Sequence, residues 1–267
     1  MPLTPNPQPQ TPIMQITFLG TGTSQGVPVI ACGCEVCHSL DFRDKRLRVS
    51  IHIEVDGKSF VVDTGPDFRQ QMLRERVKFV DAILFTHEHK DHTAGLDDVR
   101  AFNFFQQRDM PVYGRKHVLA QIKQEFYYAF TEIKYPGTPQ ITLNEIQNQP
   151  FQVDGIDITP IEVMHYKLPV FGFRIKDFTY ITDVNFISEL EIEKIKGSKV
   201  VVMGALRKES HLSHFNLSES VEVLEKIAPD RAYITHISHQ MGLHREVNEE
   251  LPAFIQLAYD GLVINLD

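Results

Sequence analysis

Asp81-Ala82-Ile83-Leu84-Phe85-Thr86 runs without a break into His87-Glu88-His89-Lys90-Asp91-His92. A short apolar, β-branched run of this kind reads as a buried strand. This one delivers His87, His89, Asp91 and His92 just past its end. The pattern recurs three times: Ile161-Glu162-Val163-Met164 stops at His165, Tyr180-Ile181-Thr182 at Asp183, and Ala232-Tyr233-Ile234-Thr235 at His236. Strands that all end on His or Asp let the loops beyond them converge on one rigidly held site. Imidazole and carboxylate together suit Zn²⁺, Mn²⁺ or Fe, the ions of hydrolytic centres. The expectation is a hydrolase holding two divalent metal ions, Zn or Mn.

The spacing refines that expectation. In the His-Glu-x-x-His zinc motif two histidines lie one helical turn apart, whereas His87 and His89 are two residues apart at a strand end. An extended loop can therefore aim both at one ion, with Asp91 and His92 reaching a second. His165 and His236 would each complete one site, and Asp183, with two carboxylate oxygens, would bridge the pair. Ions about 3.5–4 Å apart can share a hydroxide and clamp both ends of an in-line displacement. A lone histidine at a strand end is more often a hydrogen-bonded structural residue. The density of ligand types between His87 and His92 shifts the balance toward metal.

The chain has 267 residues, 42% hydrophobic and 23% charged, which is ordinary for a globular protein. Its formal net charge of -8 disfavours a broad nucleic-acid surface, because phosphate binding draws on accumulated Lys and Arg. Nucleic acid is accordingly not the expected partner, and a small molecule is. Residues 1–12 carry proline but no basic residue and no apolar run; they read as a flexible extension without the parts of a signal peptide. No run approaches the roughly 18 apolar residues of a membrane span. Three cysteines within six positions argue against a secreted disulfide framework. The simplest reading is a cytoplasmic enzyme with no membrane partner, for which a homodimer stays open.

Residues 13–267 read as one domain. Met14 to Leu19 is a strand entering the loop Gly20-Thr21-Gly22-Thr23-Ser24-Gln25-Gly26, which lacks the Gly-Lys-Ser/Thr ending of a phosphate loop. Val49 to Val55 and Phe60 to Asp63 form a hairpin through Asp56-Gly57. Helices are expected over Pro66 to Arg76, over Gly95 to Gln107 with Leu96, Val99, Phe102 and Phe105 at helical spacing, and over Lys116 to Phe130. Tyr135 to Pro150 reads as irregular. In the second half Ile156 to Thr159, Phe171 to Ile175 and Val200 to Met203 are strand-like. Asn216-Leu217-Ser218-Glu219 is a capping box opening a helix, and Asp260-Gly261 turns into a last strand. The order favours an α/β chain with two sheets between helices.

His87-Glu88-His89-Lys90-Asp91-His92 resembles the His-x-His-x-Asp-His signature of the metallo-β-lactamase superfamily, and His165, Asp183 and His236 follow in that superfamily's ligand order. The resemblance runs from Ile16 to the C-terminus. It implies an αββα sandwich with the metals at one edge, and Asp63-Thr64-Gly65 resembles the superfamily's early structural aspartate segment. Cys32, Cys34 and Cys37, after Gly26-Val27-Pro28, together with Thr235-His236-Ile237-Ser238-His239-Gln240, look like the PhnP-type phosphodiesterases of that superfamily. The resemblance implies a structural zinc on Cys32, Cys34, Cys37 and His239, a closed Cys₃His site. His38 and His244 rank below His239 as its fourth ligand.

The same resemblance implies hydrolysis of a small, possibly cyclic, phosphodiester by a hydroxide held between the metals, with Asp91 and His214 as the catalytic side chains. His214 aligns with the general acid of such enzymes, and His211 is its rival. Met203-Gly204-Ala205-Leu206-Arg207-Lys208 departs from the acidic, cysteine-containing stretch of phosphoribosyl cyclic phosphate phosphodiesterases. The substrate is therefore left open, and Arg207 and Lys208 are either phosphate-facing or solvated. The alternatives are a tRNA 3′-processing nuclease, a thioester hydrolase of the glyoxalase type, and a non-enzymatic metal-binding or redox module.

Overall fold

Runs of Val, Ile and Phe set two β-sheets face to face in the computed structural model of the protein, which describes residues 14–133 and 135–267. The expected extension over residues 1–12 lies outside the described residues. The strands are β1 (Met14–Gly20), β2 (Ser50–Val55), β3 (Lys58–Val62), β4 (Ala82–Leu84), β5 (Met110–Gly114), β6 (Ile141–Glu145), β7 (Phe151–Val153), β8 (Ile156–His165), β9 (Leu168–Ile175), β10 (Phe178–Ile181), β11 (Phe186–Ile187), β12 (Val200–Gly204), β13 (Arg231–Thr235), β14 (Ile255–Leu257) and β15 (Val263–Leu266). The first sheet has the order β15-β1-β2-β3-β4-β5-β6, and the second β11-β8-β9-β10-β12-β13-β14, with β7 paired to β8.

The buried apolar side chains sort into layers. One cluster, including Phe18, Phe60, Phe173, Phe178 and Tyr180, fills the space between the sheets. A second packs the outer face of the first sheet against α2 (Phe68–Arg74), α4 (Arg100–Gln106) and α5 (Lys116–Glu125). A third packs the second sheet against α6 (Glu189–Ile195), α7 (Leu217–Ile227) and α8 (His244–Glu250). Two short helices, α1 (Glu35–His38) and α3 (Lys90–Thr93), lie in loops. The layers are helix, sheet, sheet, helix, as expected.

Local expectations hold where the chemistry is local. Asp56 and Gly57 both adopt positive φ, 48° and 76°, as the tight hairpin demands. The capping box at α7 is complete, with the Asn216 side chain on Glu219 N and the Glu219 carboxylate on Asn216 N. Three readings need correction. Tyr135 to Pro150 is not all irregular: β6 runs parallel to β5 from Met110↔Ile141 to Gly114↔Glu145, because the partner strand supplies hydrogen bonds that local propensity cannot. Phe105 leaves the apolar stripe of Leu96, Val99 and Phe102 and is 79% exposed, since a 3₁₀ turn over Leu96–Val99 precedes α4 and shifts the periodicity. The helix expected to reach Phe130 ends at Glu125 and is followed by a 3₁₀ turn over Tyr127–Ala129.

The loop that carries the ligand cluster is seated backbone against backbone. Thr64 N donates to His92 O at 2.7 Å, and Gly95 N to Thr64 O at 2.8 Å. A Cβ on Gly65 would fall 2.2 Å from Asp91 O, so only glycine lets the two segments meet. Gly65→Ala is therefore expected to lower stability by about 1–3 kcal/mol, as overpacking does, and to displace Asp91. Thermal melting with metal analysis checks it; unchanged stability and metal content would show that the contact is slack.

Candidate metal centre

The strand ends meet at one edge of the sandwich. β4 is followed by Phe85, Thr86 and His87, β8 ends on His165, β10 is followed by Thr182 and Asp183, and β13 by His236. His87, His92, His165, Asp183 and His236 are all buried. Asp183 and His236 hold positive φ, 41° and 58°, a conformation that non-glycine residues adopt at a cost and that clusters at functional sites.

The donor atoms form overlapping groups: His87, His89 and His165; His87, His92 and Asp183; Asp91, His92 and His236. Asp183 stands between them, with Oδ2 3.2 Å from His92 Nε2 and Oδ1 3.2 Å from His236 Nε2 and 3.9 Å from His165 Nε2. Asp91 Oδ2 lies 3.3 Å from His92 Nε2 and 3.9 Å from His236 Nε2. Two donors about 2.1 Å from one ion at a tetrahedral angle sit roughly 3.4 Å apart, so this spacing fits divalent ions. A second sign is that His92 Nε2 and both ring nitrogens of His236 are buried without a hydrogen-bond partner, a rare state unless an ion takes the lone pair. The residues present fit two such ions, with Asp183 between them.

Electrostatics point the same way. Burial pulls the His92 imidazole down, yet Asp91, Asp183 and Asp63 outweigh it and hold it well above its usual range. Burial would raise Asp183, but His236 and His92 keep it well below the carboxylate range. The cluster thus keeps its carboxylates ionised only by borrowing positive charge, a role that a cation fills directly.

A further set of groups fixes the rings. Asp63, completely buried, accepts from His92 Nδ1 at 2.7 Å, Thr86 N at 2.9 Å and Thr86 Oγ1 at 2.8 Å. That leaves His92 Nε2 turned toward Asp91 and Asp183. His165 Nδ1 donates to Ser213 O at 2.8 Å, which leaves its Nε2 for the cluster. The sequence marked Asp63 but gave no hint of Ser213.

His214 lies at the rim, its Nδ1 3.8 Å from Asp183 Oδ1 and its ring stacked on His236 at 4.7 Å. His211 stands further out, 5.3 Å from the His214 ring, and is exposed. Arg207 is engaged by Gln240 Oε1, Ser210 O and Glu209 O, and Lys208 pairs with Glu250. Arg207 is thereby held by its own loop and Gln240, whereas the Lys208 pair lies exposed on the surface.

Away from this edge, Cys32, Cys34, Cys37 and His239 form a separate group. Sγ of Cys32 and of Cys34 each lie 3.3 Å from His239 Nδ1, and the cysteines form no disulfide. Backbone N–H groups of Val29 and Cys37 point at Cys37 Sγ and Cys34 Sγ. The Cys37 N–H and His239 hold the Cys34 thiol down at about 6, whereas burial pushes Cys37 up to about 11. Three sulfurs and one imidazole fit tetrahedral Zn²⁺. His244 instead faces Arg46, its Nδ1 3.1 Å from Nη2, and His38 is exposed outside the group.

The profile of the Beta-lactamase superfamily domain matches residues 58–237. A crystal structure described as a new diphosphatase from the PhnP family is 38% identical, with a TM-score of 0.89 over 95% of this chain and 98% of that one. A protein of Porphyromonas gingivalis named octanoyltransferase is 39% identical over 95% of this chain, which spans only 52% of that protein. Ribonuclease Z of Bacillus subtilis is 27% identical over 71% of this chain and 60% of its own length. The ribonuclease relatives correct one expectation: net charge does not set a nucleic-acid substrate aside, because an enzyme can hold RNA by a local surface whatever its total charge. No helix among the described residues is long and apolar enough to cross a membrane.

Two outcomes are expected. Asp63→Asn should weaken divalent-ion binding about 10–100-fold, the usual effect of losing the carboxylate behind a ligand histidine, as titration against a competing chelator will read. Cys34→Ser should lose one zinc equivalent and melt at a lower temperature, because a closed zinc site contributes folding energy; elemental analysis beside calorimetry tests it.

Proposed function

The chain belongs to the beta-lactamase superfamily, and from that premise we propose that it is a binuclear metal-dependent phosphodiesterase acting on a small phosphodiester. The observation that carries the reading is the place of His214 beside Asp183, at the mouth of a cluster whose donors fit two ions. The near-complete match to a diphosphatase of the PhnP family supports phosphoryl chemistry. In this reading His87, His89 and His165 hold one ion, Asp91, His92 and His236 the other, and Asp183 both. Cys32, Cys34, Cys37 and His239 hold a structural zinc. When bound, the ion pair supplies Lewis-acid charge at the phosphoryl group and activates a water.

The side chains supply orientation and a proton. Asp91 accepts a hydrogen bond from the attacking water and keeps it facing phosphorus. Burial and the neighbouring His236 hold the His214 imidazole below its usual range. A phosphodiester anion beside the ring works against that shift, because opposite charge favours the imidazolium. His214 then gives its proton to the departing alkoxide oxygen.

The ribonuclease Z relatives favour a second reading, cleavage of an RNA phosphodiester by the same centre. Substrate size separates the two. A panel of small diesters, RNA substrates and thioesters should show turnover of small diesters with both ions loaded; turnover of a thioester alone would place the enzyme in another reaction class.

His214→Ala should keep both ions and lose roughly 10²–10⁴-fold in rate, the range for a general acid. The loss should shrink on bis(nitrophenyl) phosphate, whose leaving group needs less protonation. Full activity of His214→Ala on unactivated diesters, with His211→Ala inactive, would move the acid to His211.

A further inference from the structure

Tyr166 follows His165 directly and lies in the β8–β9 turn, where the pair His165↔Leu168 leaves a two-residue connection. Its φ is 56°, a conformation that such turns normally give to Gly, Asn or Asp. A bulky side chain there is an outlier. Two other hairpins obey the rule with Asp56-Gly57 and Asp154-Gly155, and a third carries Lys176, tied to Asp56 by an ion pair of 2.6 Å. Tyr166 is held there through its backbone, its N–H donating to Asn185 Oδ1 at 2.6 Å, while among the described residues no hydrogen bond holds its hydroxyl and the residue is 47% exposed. A strained, exposed aromatic beside a ligand residue is a reason to look for a use.

Phe186 lies three residues after Asp183 and is 57% exposed. It pairs with Met164 across β11 and β8. Side chains alternate along a strand, so Phe186, Met164 and Glu162 share one face of the sheet. Glu162 is ion-paired with Arg115 at the start of α5, and the Arg115 guanidinium lies 3.9 Å over the Phe171 ring. That face therefore turns toward the first sheet and its His87–His92 loop.

Asn185 fixes the two aromatic positions in relation to the cluster. Its N–H donates to Met164 O at 2.8 Å, its Oδ1 accepts from Tyr166 N at 2.6 Å, and its Nδ2 donates to Leu212 O at 3.3 Å. One side chain thus joins the segments that carry His165, Asp183 and His214. The Lys167 ammonium lies over one face of the Tyr166 ring, 5.3 Å from its centroid.

We propose that Tyr166 and Phe186 form a stacking platform for a nucleobase, so that the phosphoester cleaved at the cluster belongs to a small nucleotide. The inference rests on the phosphodiesterase reading and deepens it. An aromatic platform accepts any base through its π-face, while the phosphate is left to the ion cluster.

Binding tests it apart from turnover. Calorimetry on the metal-loaded protein should show adenosine 5′-monophosphate binding about tenfold or more tighter than ribose 5-phosphate, as base stacking gives. Tyr166→Gly should abolish that preference, keep ribose 5-phosphate affinity within about twofold, and melt at a higher temperature, since glycine adopts this φ freely. Tyr166→Phe should keep the preference, because the ring and not the hydroxyl stacks. Equal binding of the two ligands by the unmodified protein, or a preference that survives Tyr166→Gly, overturns the inference. An oligoribonucleotide that binds far tighter than the mononucleotide and loses as much on Tyr166→Gly overturns the small-nucleotide assignment. Failure to turn over any phosphodiester refutes the functional reading alone, whatever the base preference.

Discussion

The buried Asp63 carboxylate is the constraint on which the functional edge depends. It has no exposed surface, and it accepts from His92, the Thr86 hydroxyl and the Thr86 backbone. Three donors on one ionised group make its burial tolerable, since hydrogen bonds to charge are the strong ones. Burial nonetheless raises the Asp63 carboxyl above its usual range, against the pull of His92 and Thr86. Losing a partner of a buried charge costs about 3–5 kcal/mol, and here it would also free the ring of His92. The end of β3, the end of β4 and the ligand loop are thereby locked to one another.

Around that anchor the edge accumulates charge that a fold alone does not need. Asp183, His92 and His236 are buried, and the half-buried Asp91 packs against them, at separations of 3.2 to 3.9 Å. Hydrophobic residues in their places would pack more stably. The arrangement therefore costs stability, as do the positive φ values at Asp183 and His236. The cysteine lobe is a separate device with the same logic. Two residues, Ile237 and Ser238, separate His236 from His239 along the chain. Ile237 N donates to Thr21 O, and Thr23 N to Ile237 O. The Gly20–Gly26 loop is thus a splint between the two groups.

What the sequence determined by itself was the fold class and which His and Asp residues stop the strands. Strand runs that stop on His or Asp are local patterns, and local patterns are legible because burial alternation and turn chemistry act over a few residues. Asp56-Gly57 and the Asn216 capping box were readable for the same reason. The choice among His239, His244 and His38 was not local. Only the tertiary structure turns His244 onto Arg46 and brings His239 to the cysteines, across a sequence separation of 207 residues from Cys32. It likewise set His214 beside Asp183 with His211 further out, tied Arg207 to Gln240, and made β6 a strand through its pairing with β5. Asn185 and Tyr166 carried no motif at all. Their meaning lies in which segments they join and in a backbone angle, and both follow from long-range packing that no short stretch of sequence encodes.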